Sequence, residues 1–332
     1  MNPPAATLVP ERLPGADLEV TPLVLGGNML GSRLDADASF AVLDAYVEAA
    51  GTMVDTAAVY SDWLPAIEAG CSERTIGRWL RARPSTPLLV ATKGGHPDLA
   101  RPHQPRLDGP ALRHDIEQSL DRLGLSALPL WLTHRDDPAL SVPEIIDAVE
   151  ELRAEGLLRW YGVSNWSTER IEEVIRLRDA GRAPGFVATQ AAFAAASPRP
   201  DRLAADLVAA DGRMLTAHRE AELTLLAYSA QAKGWFADAA GAEPAYDSSA
   251  NRRVRDVVRA VATETGAQPG QVALAALLEL DMSLRLVVGC SSPSRLDDSL
   301  AAVALRLTPE QSGRIHAVLP AAPETPREMT SA

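Results

Sequence analysis

Residues 87–134 read PLLVATKGGHPDLARPHQPRLDGPALRHDIEQSLDRLGLSALPLWLTH. An apolar run stops at Lys93. A helical pattern follows, with Leu112, Ile116, Leu120 and Leu123 on one face and Gly124 where the helix should end. A second apolar run then stops at His134. Strand, helix and strand in this order make a parallel crossover unit. The alternation continues in both directions. Strand-like runs occupy residues 22–27, 52–55, 87–93, 129–134, 159–164, 186–190, 223–228 and 284–289. Helical stripes such as Phe40, Leu43 and Val47, or Ile145, Val149 and Leu152, lie between them. Ser141 to Glu144 and Thr308 to Gln311 read as capping boxes, and Gly51, Gly156 and Gly181 sit where helices should stop.

Eight such strands are the number that closes a (β/α)8 TIM barrel, and that α/β fold is expected here. A doubly wound open sheet is the rival. The segment after the first strand, Gly26-Gly27-Asn28-Met29-Leu30-Gly31, lacks the G-x-G-x-x-G fingerprint and the Lys-Ser/Thr of a phosphate loop. One barrel domain is expected over residues 1–332, with a core from about 13 to 319 and short flexible termini. Residues 7–20, turning at Pro14-Gly15-Ala16-Asp17, predict an N-terminal hairpin that closes the barrel floor. Connections 94–110, 191–216 and 229–251 exceed the ~2–6 residues usual after a strand. They are expected to cover the C-terminal face, where barrel chemistry sits.

Composition narrows the function. Acidic residues number 44 and basic ones 32, a net charge of −12 over 332 residues. Nucleic-acid binding needs a basic face and is not expected. Cys71 and Cys290 cannot form a disulfide framework or a four-cysteine zinc site. No apolar run approaches the ~18 residues of a membrane span, and residues 1–14 lack a signal-peptide pattern. The expectation is a cytoplasmic protein with a small-molecule substrate, no nucleic-acid or membrane partner, and monomer against homo-oligomer left open. Only two basic residues are lysines, Lys93 and Lys233, which marks them for work a guanidinium cannot do.

The strand ends deliver polar groups to one rim: Asn28 after Gly27, Asp55 with Tyr60 five residues on, Lys93, His134, Ser164-Asn165, Gln190, Tyr228-Ser229 and Gly289-Cys290-Ser291-Ser292. Asp55, Tyr60, Lys93 and His134 make chemical sense together. An ammonium beside Tyr60 should lower its pKa from ~10. Asp55 offsets the cost of burying that ammonium. His134 can donate to a substrate oxygen. The set suits general acid catalysis on a carbonyl oxygen, so another molecule must supply the electrons. His96, Asp98 and His103 match no metal-ligand spacing, and no metal is expected. Arg135 with Asp136 and Asp137 is expected to be a solvated ion-pair cluster. Trp63 and Trp166, just after Tyr60 and Asn165, are expected to line a substrate pocket suited to a sugar ring or flat carbonyl compound.

From about Leu13 to Leu319 the chain resembles the aldo-keto reductases, (β/α)8 enzymes that bind a nicotinamide cofactor without a Rossmann domain. The resemblance rests on Val54-Asp55-Thr56-Ala57-Ala58-Val59-Tyr60, Ser72-Glu73-Arg74-Thr75-Ile76-Gly77, Ala91-Thr92-Lys93, Ser119 to Gly124 leading to Leu132-Thr133-His134, and Gly162-Val163-Ser164-Asn165. It implies that Asp55, Tyr60, Lys93 and His134 are a catalytic tetrad. It implies that Ser164, Asn165 and Gln190 hold the nicotinamide carboxamide and that Tyr228 stacks on the ring. Ser229, Gln231, Lys233 and Gly234 would serve the pyrophosphate side, and Gly289, Ser291, Ser292, Arg295 and Asp298 the adenosine half. Gly27, Asn28 and Asp55 are counted with the cofactor contacts.

There are departures from the family pattern. Gly289 replaces the lysine that often grips the 2′-phosphate, which leaves Arg295 for that task. Asp298-Ser299 replaces a Glu-Asn near the adenine, and Ala191-Ala192-Phe193 and Ala230 alter the pocket loops. NADP(H) is favoured, with NAD(H) possible. The implied activity is reduction of an aldehyde or ketone to an alcohol. The alternatives are an NADPH-binding regulator resembling potassium-channel β subunits and an NAD(P)-dependent sugar or alcohol dehydrogenase.

Overall fold

The structure, a computed structural model, describes residues 7–101, 103–237 and 244–320. Two short strands, β1 (Glu11–Arg12) and β2 (Glu19–Val20), pair antiparallel. Eight parallel strands then close a barrel: β3 (Leu23–Gly26), β4 (Met53–Asp55), β5 (Leu89–Gly94), β6 (Leu128–Thr133), β7 (Leu158–Ser164), β8 (Phe186–Ala192), β9 (Thr224–Tyr228) and β10 (Leu284–Gly289). Each strand pairs with the next in sequence, and β10 returns to β3. The helices between them are α1 (Ala36–Glu48), α2 (Cys71–Ala82), α3 (Gly109–Leu123), α4 (Val142–Ala154), α5 (Thr168–Asp179) and α6 (Gly212–Glu220). Both α7 (Ser249–Thr265) and α8 (Pro269–Leu278) separate β9 from β10. After β10 come α9 (Pro293–Ala304) and α10 (Pro309–His316).

The caps follow the sequence reading. Ser141 with Glu144 and Thr308 with Gln311 form capping boxes. Gly124, Gly156 and Gly181 take left-handed φ after their helices. Gly51 does not. Ala50 carries the positive φ of 64°, and Gly51 is small for another reason: a Cβ there would lie 2.3 Å from the Tyr46 ring.

Strand parity divides the core in two. One set of side chains, among them Leu23, Leu25, Val54, Val90, Trp131 and Val288, packs against the helices. The alternate set, Val24, Met53, Ala91, Leu130, Leu132, Ala188, Leu226 and Val287, fills the barrel together with Leu13, Ala16, Leu18 and Val20 from the hairpin. The hairpin therefore closes the floor as its sequence predicts. Arg285, buried on β10, fastens it by donating to Val20 O (3.1 Å) and pairing with Glu11 (3.2 Å). On the far side Asp17 accepts from Trp160 Nε1 (2.6 Å) and Arg159 (2.5 Å).

The long connections differ in detail from expectation. β8 runs on to Ala192 and α6 starts at Gly212, so the second connection is shorter than residues 191–216. It packs inward through buried Phe193, Ala194, Ala195 and Ala196. Asn251 laces it to the third: its amide accepts from Ser197 N (3.1 Å) and donates to Ser197 O and Tyr246 O (both 2.7 Å). Residues 238–243 of that third connection, and the termini expected to be flexible (1–6 and 321–332), lie outside the described residues. Among the described residues no helix is long and apolar enough to cross a membrane.

Candidate active site

Inside the barrel every second residue points to the axis, so each apolar interior position has a successor two residues further up its strand. Met53 is followed by Asp55, Ala91 by Lys93, Leu132 by His134, Ala188 by Gln190 and Leu226 by Tyr228. The same periodicity that fills the floor with hydrocarbon thus crowds charge and amide groups at the rim.

Lys93 Nζ is the hub. It donates to Asp55 Oδ1 (2.8 Å), Thr56 O (2.7 Å) and the Tyr60 hydroxyl (2.9 Å). Lys93 and Asp55 are each 1% exposed, so this ion pair is sealed from solvent. The Tyr60 hydroxyl donates to Asp55 Oδ2 at 3.2 Å. The segment that carries Tyr60 is stitched to β5: Thr56 N donates to Ala91 O (2.8 Å) and Ala58 N to Lys93 O (3.0 Å). His134 extends the ladder, its N–H on Gly94 O at 2.7 Å, and its ring lies edge-on to Tyr60 with centroids 5.8 Å apart.

The electrostatics correct one expectation. Burial and the Asp55 carboxylate push the Tyr60 hydroxyl well above its ordinary pKa, against the opposing pull of Arg135. Tyr60 therefore holds its proton and stands as a donor. Burial pulls Lys93 down while Asp55 opposes the shift. Burial, Lys93 and Arg135 hold His134 well below the usual imidazole range, so it is neutral. Its Nδ1 is buried without a hydrogen-bond partner.

Beside this cluster lies a second, amide-rich one. Asn165, at φ 61°, donates to His134 O (3.2 Å) and Ser164 Oγ (3.1 Å) and accepts from the Tyr228 hydroxyl (2.8 Å). Gln190 Nε2 reaches across the barrel to Asp55 Oδ1 at 2.8 Å, joining the two clusters. Ser229 and Lys233 take left-handed backbone beside Gly234, and Gln231 Nε2 donates to Ser299 Oγ (3.1 Å) on α9. Ser292 caps α9. Gly289, Ser291, Arg295 and Asp298 are exposed around that helix start, with Arg295 3.7 Å from Asp298. Amide side chains at one end of the rim and exposed cations at the other fit the chemistry of an extended dinucleotide, and the unpartnered His134 nitrogen lies beside the amide end.

Several expected residues take other places. Trp166 does not line the opening. It is 1% exposed, its Nε1 donates to Arg135 O (3.3 Å), and Arg170 covers its ring at 4.8 Å. Trp63 is 55% exposed beyond Tyr60 and remains available to a ligand. Asn28 is exposed, but Gly27 is buried in strand packing: a Cβ there would sit 2.7 Å from Asp55 O. Arg135 is not part of a solvated cluster with its sequence neighbours. It reaches Asp206 (2.6 Å) and His134 O (2.8 Å), while Asp136 pairs with Arg170 (2.8 Å). Asp98 pairs with Arg101 (3.1 Å), His103 is exposed, and the His96 ring packs on His134 with centroids 5.0 Å apart.

Sequence reasoning missed the Thr56 carbonyl, His96 as a neighbour of His134, and Arg135 as a rim cation. Adjacency to Tyr60 or His134 was the only signal for Thr56 and Arg135. His96 pairs with His134 only through the fold.

Comparisons with known proteins give the family and the fold. Residues 22–320 match the family model described as the Aldo/keto reductase family. The aldo-keto reductase str7 of Strobilurus tenacellus is 27% identical over 83% of this chain and 79% of its own length. An aryl-alcohol dehydrogenase [NADP(+)] of Phanerodontia chrysosporium is 29% identical over 52% of this chain and 48% of its own. Among solved structures, the holo form of the aldo-keto reductase AKR11C1 from Bacillus halodurans superposes with a TM-score of 0.75. It covers 96% of this chain and 98% of its own at 21% identity, a likeness of fold.

Proposed function

The chain belongs to the aldo/keto reductase family and is an oxidoreductase of carbonyl or alcohol groups, and on that premise we propose that it reduces an aldehyde or ketone with NADPH, Tyr60 giving the proton. The observation that carries this reading is Lys93 Nζ held at once by Asp55 Oδ1 (2.8 Å) and the Tyr60 hydroxyl (2.9 Å) in a sealed site. Ser164, Asn165 and Gln190 would hold the carboxamide, with Tyr228 against the nicotinamide ring. Ser229, Gln231, Lys233 and Gly234 would take the pyrophosphate, and Ser291, Ser292, Arg295 and Asp298 the adenosine end. Arg295 is the cation on offer to a 2′-phosphate. When bound, the cofactor supplies the hydride.

The protein's own part is proton delivery. Neutral His134 orients the substrate oxygen beside Tyr60. As negative charge grows on that oxygen, Tyr60 passes its proton across, and Lys93 stabilises the phenolate left behind. Asp55 keeps Lys93 charged in a site that burial would otherwise discharge. Trp63, on the open side of Tyr60, suits a flat aromatic carbonyl substrate better than a small aliphatic one.

The test is NADPH oxidation with a panel of aromatic aldehydes and sugar aldehydes, wild type against Tyr60→Phe. The substitution is expected to lower kcat by roughly 10²–10⁴-fold and to leave NADPH quenching of tryptophan fluorescence intact. Retention of most activity by Tyr60→Phe overturns the proton-donor assignment. NADPH quenching without turnover on any carbonyl favours the regulator instead.

A further inference from the structure

One motif is not used by this chemistry: Ser72-Glu73-Arg74-Thr75-Ile76-Gly77, which opens α2. Arg74, Arg78 and Arg81 follow at helical spacing along one side of that helix. With Arg122 from the last turn of α3 and residues 66–68, they line a cavity of about 390 Å³.

Most of the neighbouring carboxylates are engaged. Glu68 meets Arg74 at 3.1 Å. Glu73 is fully buried and shares its two oxygens between Arg122 Nη1 (3.0 Å) and the Thr92 hydroxyl (2.6 Å). Asp62 accepts the Gly70 N–H at 2.9 Å. Asp121 is the other acid on the wall and is exposed. Arg78 donates to Thr75 Oγ1 (3.1 Å), and among the described residues neither Arg78 nor Arg81 has a carboxylate within ion-pair distance. Arg122 Nε is buried with no hydrogen-bond partner. Room for that guanidinium depends on Gly70, whose Cβ would lie 2.6 Å from Arg122 Nε. The Nε edge is thus covered by Gly70, and the exposed cations on the cavity wall are Arg78 and Arg81.

We propose that this cavity binds a small phosphate-type dianion, clamped by Arg78, Arg81 and Arg122. Planar guanidinium forks match the oxygen edges of a tetrahedral oxyanion. Inorganic phosphate and the phosphate group of a phosphorylated metabolite share this chemistry. The cavity is also wired to the reaction centre. Arg122 holds Glu73, Glu73 holds Thr92, and Thr92 precedes Lys93.

Equilibrium dialysis of the full chain with labelled inorganic phosphate, at constant ionic strength, tests this. One saturable site is expected. Arg78 and Arg81 are exposed, so the double variant Arg78→Gln/Arg81→Gln should fold normally and bind about tenfold or more weakly. Arg295→Gln, at the rim, should bind like wild type. Competition by glycerol 3-phosphate distinguishes the sources: displacement more effective than by phosphate itself points to a phosphorylated metabolite, and weaker displacement to free phosphate. Absence of saturable binding overturns the proposal. So does binding that survives the double substitution, or binding that Arg295→Gln removes.

Discussion

The floor and the rim of this barrel are built by the same strands a few residues apart, yet they solve opposite problems. At the floor, Leu13, Leu18, Val24, Met53 and Leu130 exclude water, and the buried cation there, Arg285, is spent on backbone carbonyls and Glu11. At the rim, two residues further along, Asp55 and Lys93 are equally buried, but they hold a phenol that faces the opening. A buried ion pair is a weak route to stability, because desolvation consumes much of its attraction. Under the proposed function the rim pair serves proton delivery, whereas Arg285 serves the hairpin.

That contrast can be broken most directly at Lys93. Lys93→Met should abolish measurable carbonyl reduction and lower stability by about 3–5 kcal/mol in urea, because Asp55 is left buried without its cation. Adding Asp55→Asn should recover most of the stability and none of the activity. Stability that stays low in the double variant would show that the pair is structural after all.

Next come the two tryptophans. Trp166→Ala should cost about 3–5 kcal/mol, since it empties a fully buried site. Trp63→Ala should leave the urea midpoint unchanged and raise KM for aromatic substrates. The sequence could not separate these residues. Each follows a rim motif by one to three positions, and only the fold turns one ring under the rim and leaves the other in the open.

Other parts of the molecule were legible for physical reasons. Parity along each strand is a local property, so the step from Ala91 to Lys93 or from Leu132 to His134 could be read without coordinates. Capping boxes are local too. The direction of the Tyr60 shift was not legible, because it depends on how completely the hydroxyl is buried and how near Asp55 Oδ2 comes. Nor was the Glu73–Thr92 bond, which joins α2 to β5 through tertiary packing alone. At Gly51 the sequence pointed to a helix stop, but the residue is small because Tyr46 occupies its side-chain space.

On the floor side, Arg285→Met should cost about 1–3 kcal/mol in urea, through the lost bonds to Val20 O and Glu11, with kcat and KM unchanged. A fall in kcat would mean that hairpin and rim are coupled.

The last prediction concerns acid. Burial keeps His134 neutral in the fold, whereas the unfolded chain takes up a proton near pH ~6.5. Its contribution to stability is therefore complete above that pH and is lost as pH falls toward the depressed folded value. His218 behaves alike, its pKa pulled down to about 4 by burial. Burial also draws His96 below its ordinary range. Urea midpoints measured from pH 7 to 5 should fall, and those of His134→Gln should fall with about two thirds of the slope. An unchanged slope would assign the acid response to other groups.

The parity of the barrel interior also constrains how such a chain can change over generations. Substitutions on β5 alter one side chain each, but deleting a single residue between Ala91 and Lys93 would turn the ammonium outward into the helix layer. Lineages descended from this protein should accordingly accept insertions and deletions in the connections that follow the strands, while strand lengths between floor and rim stay fixed.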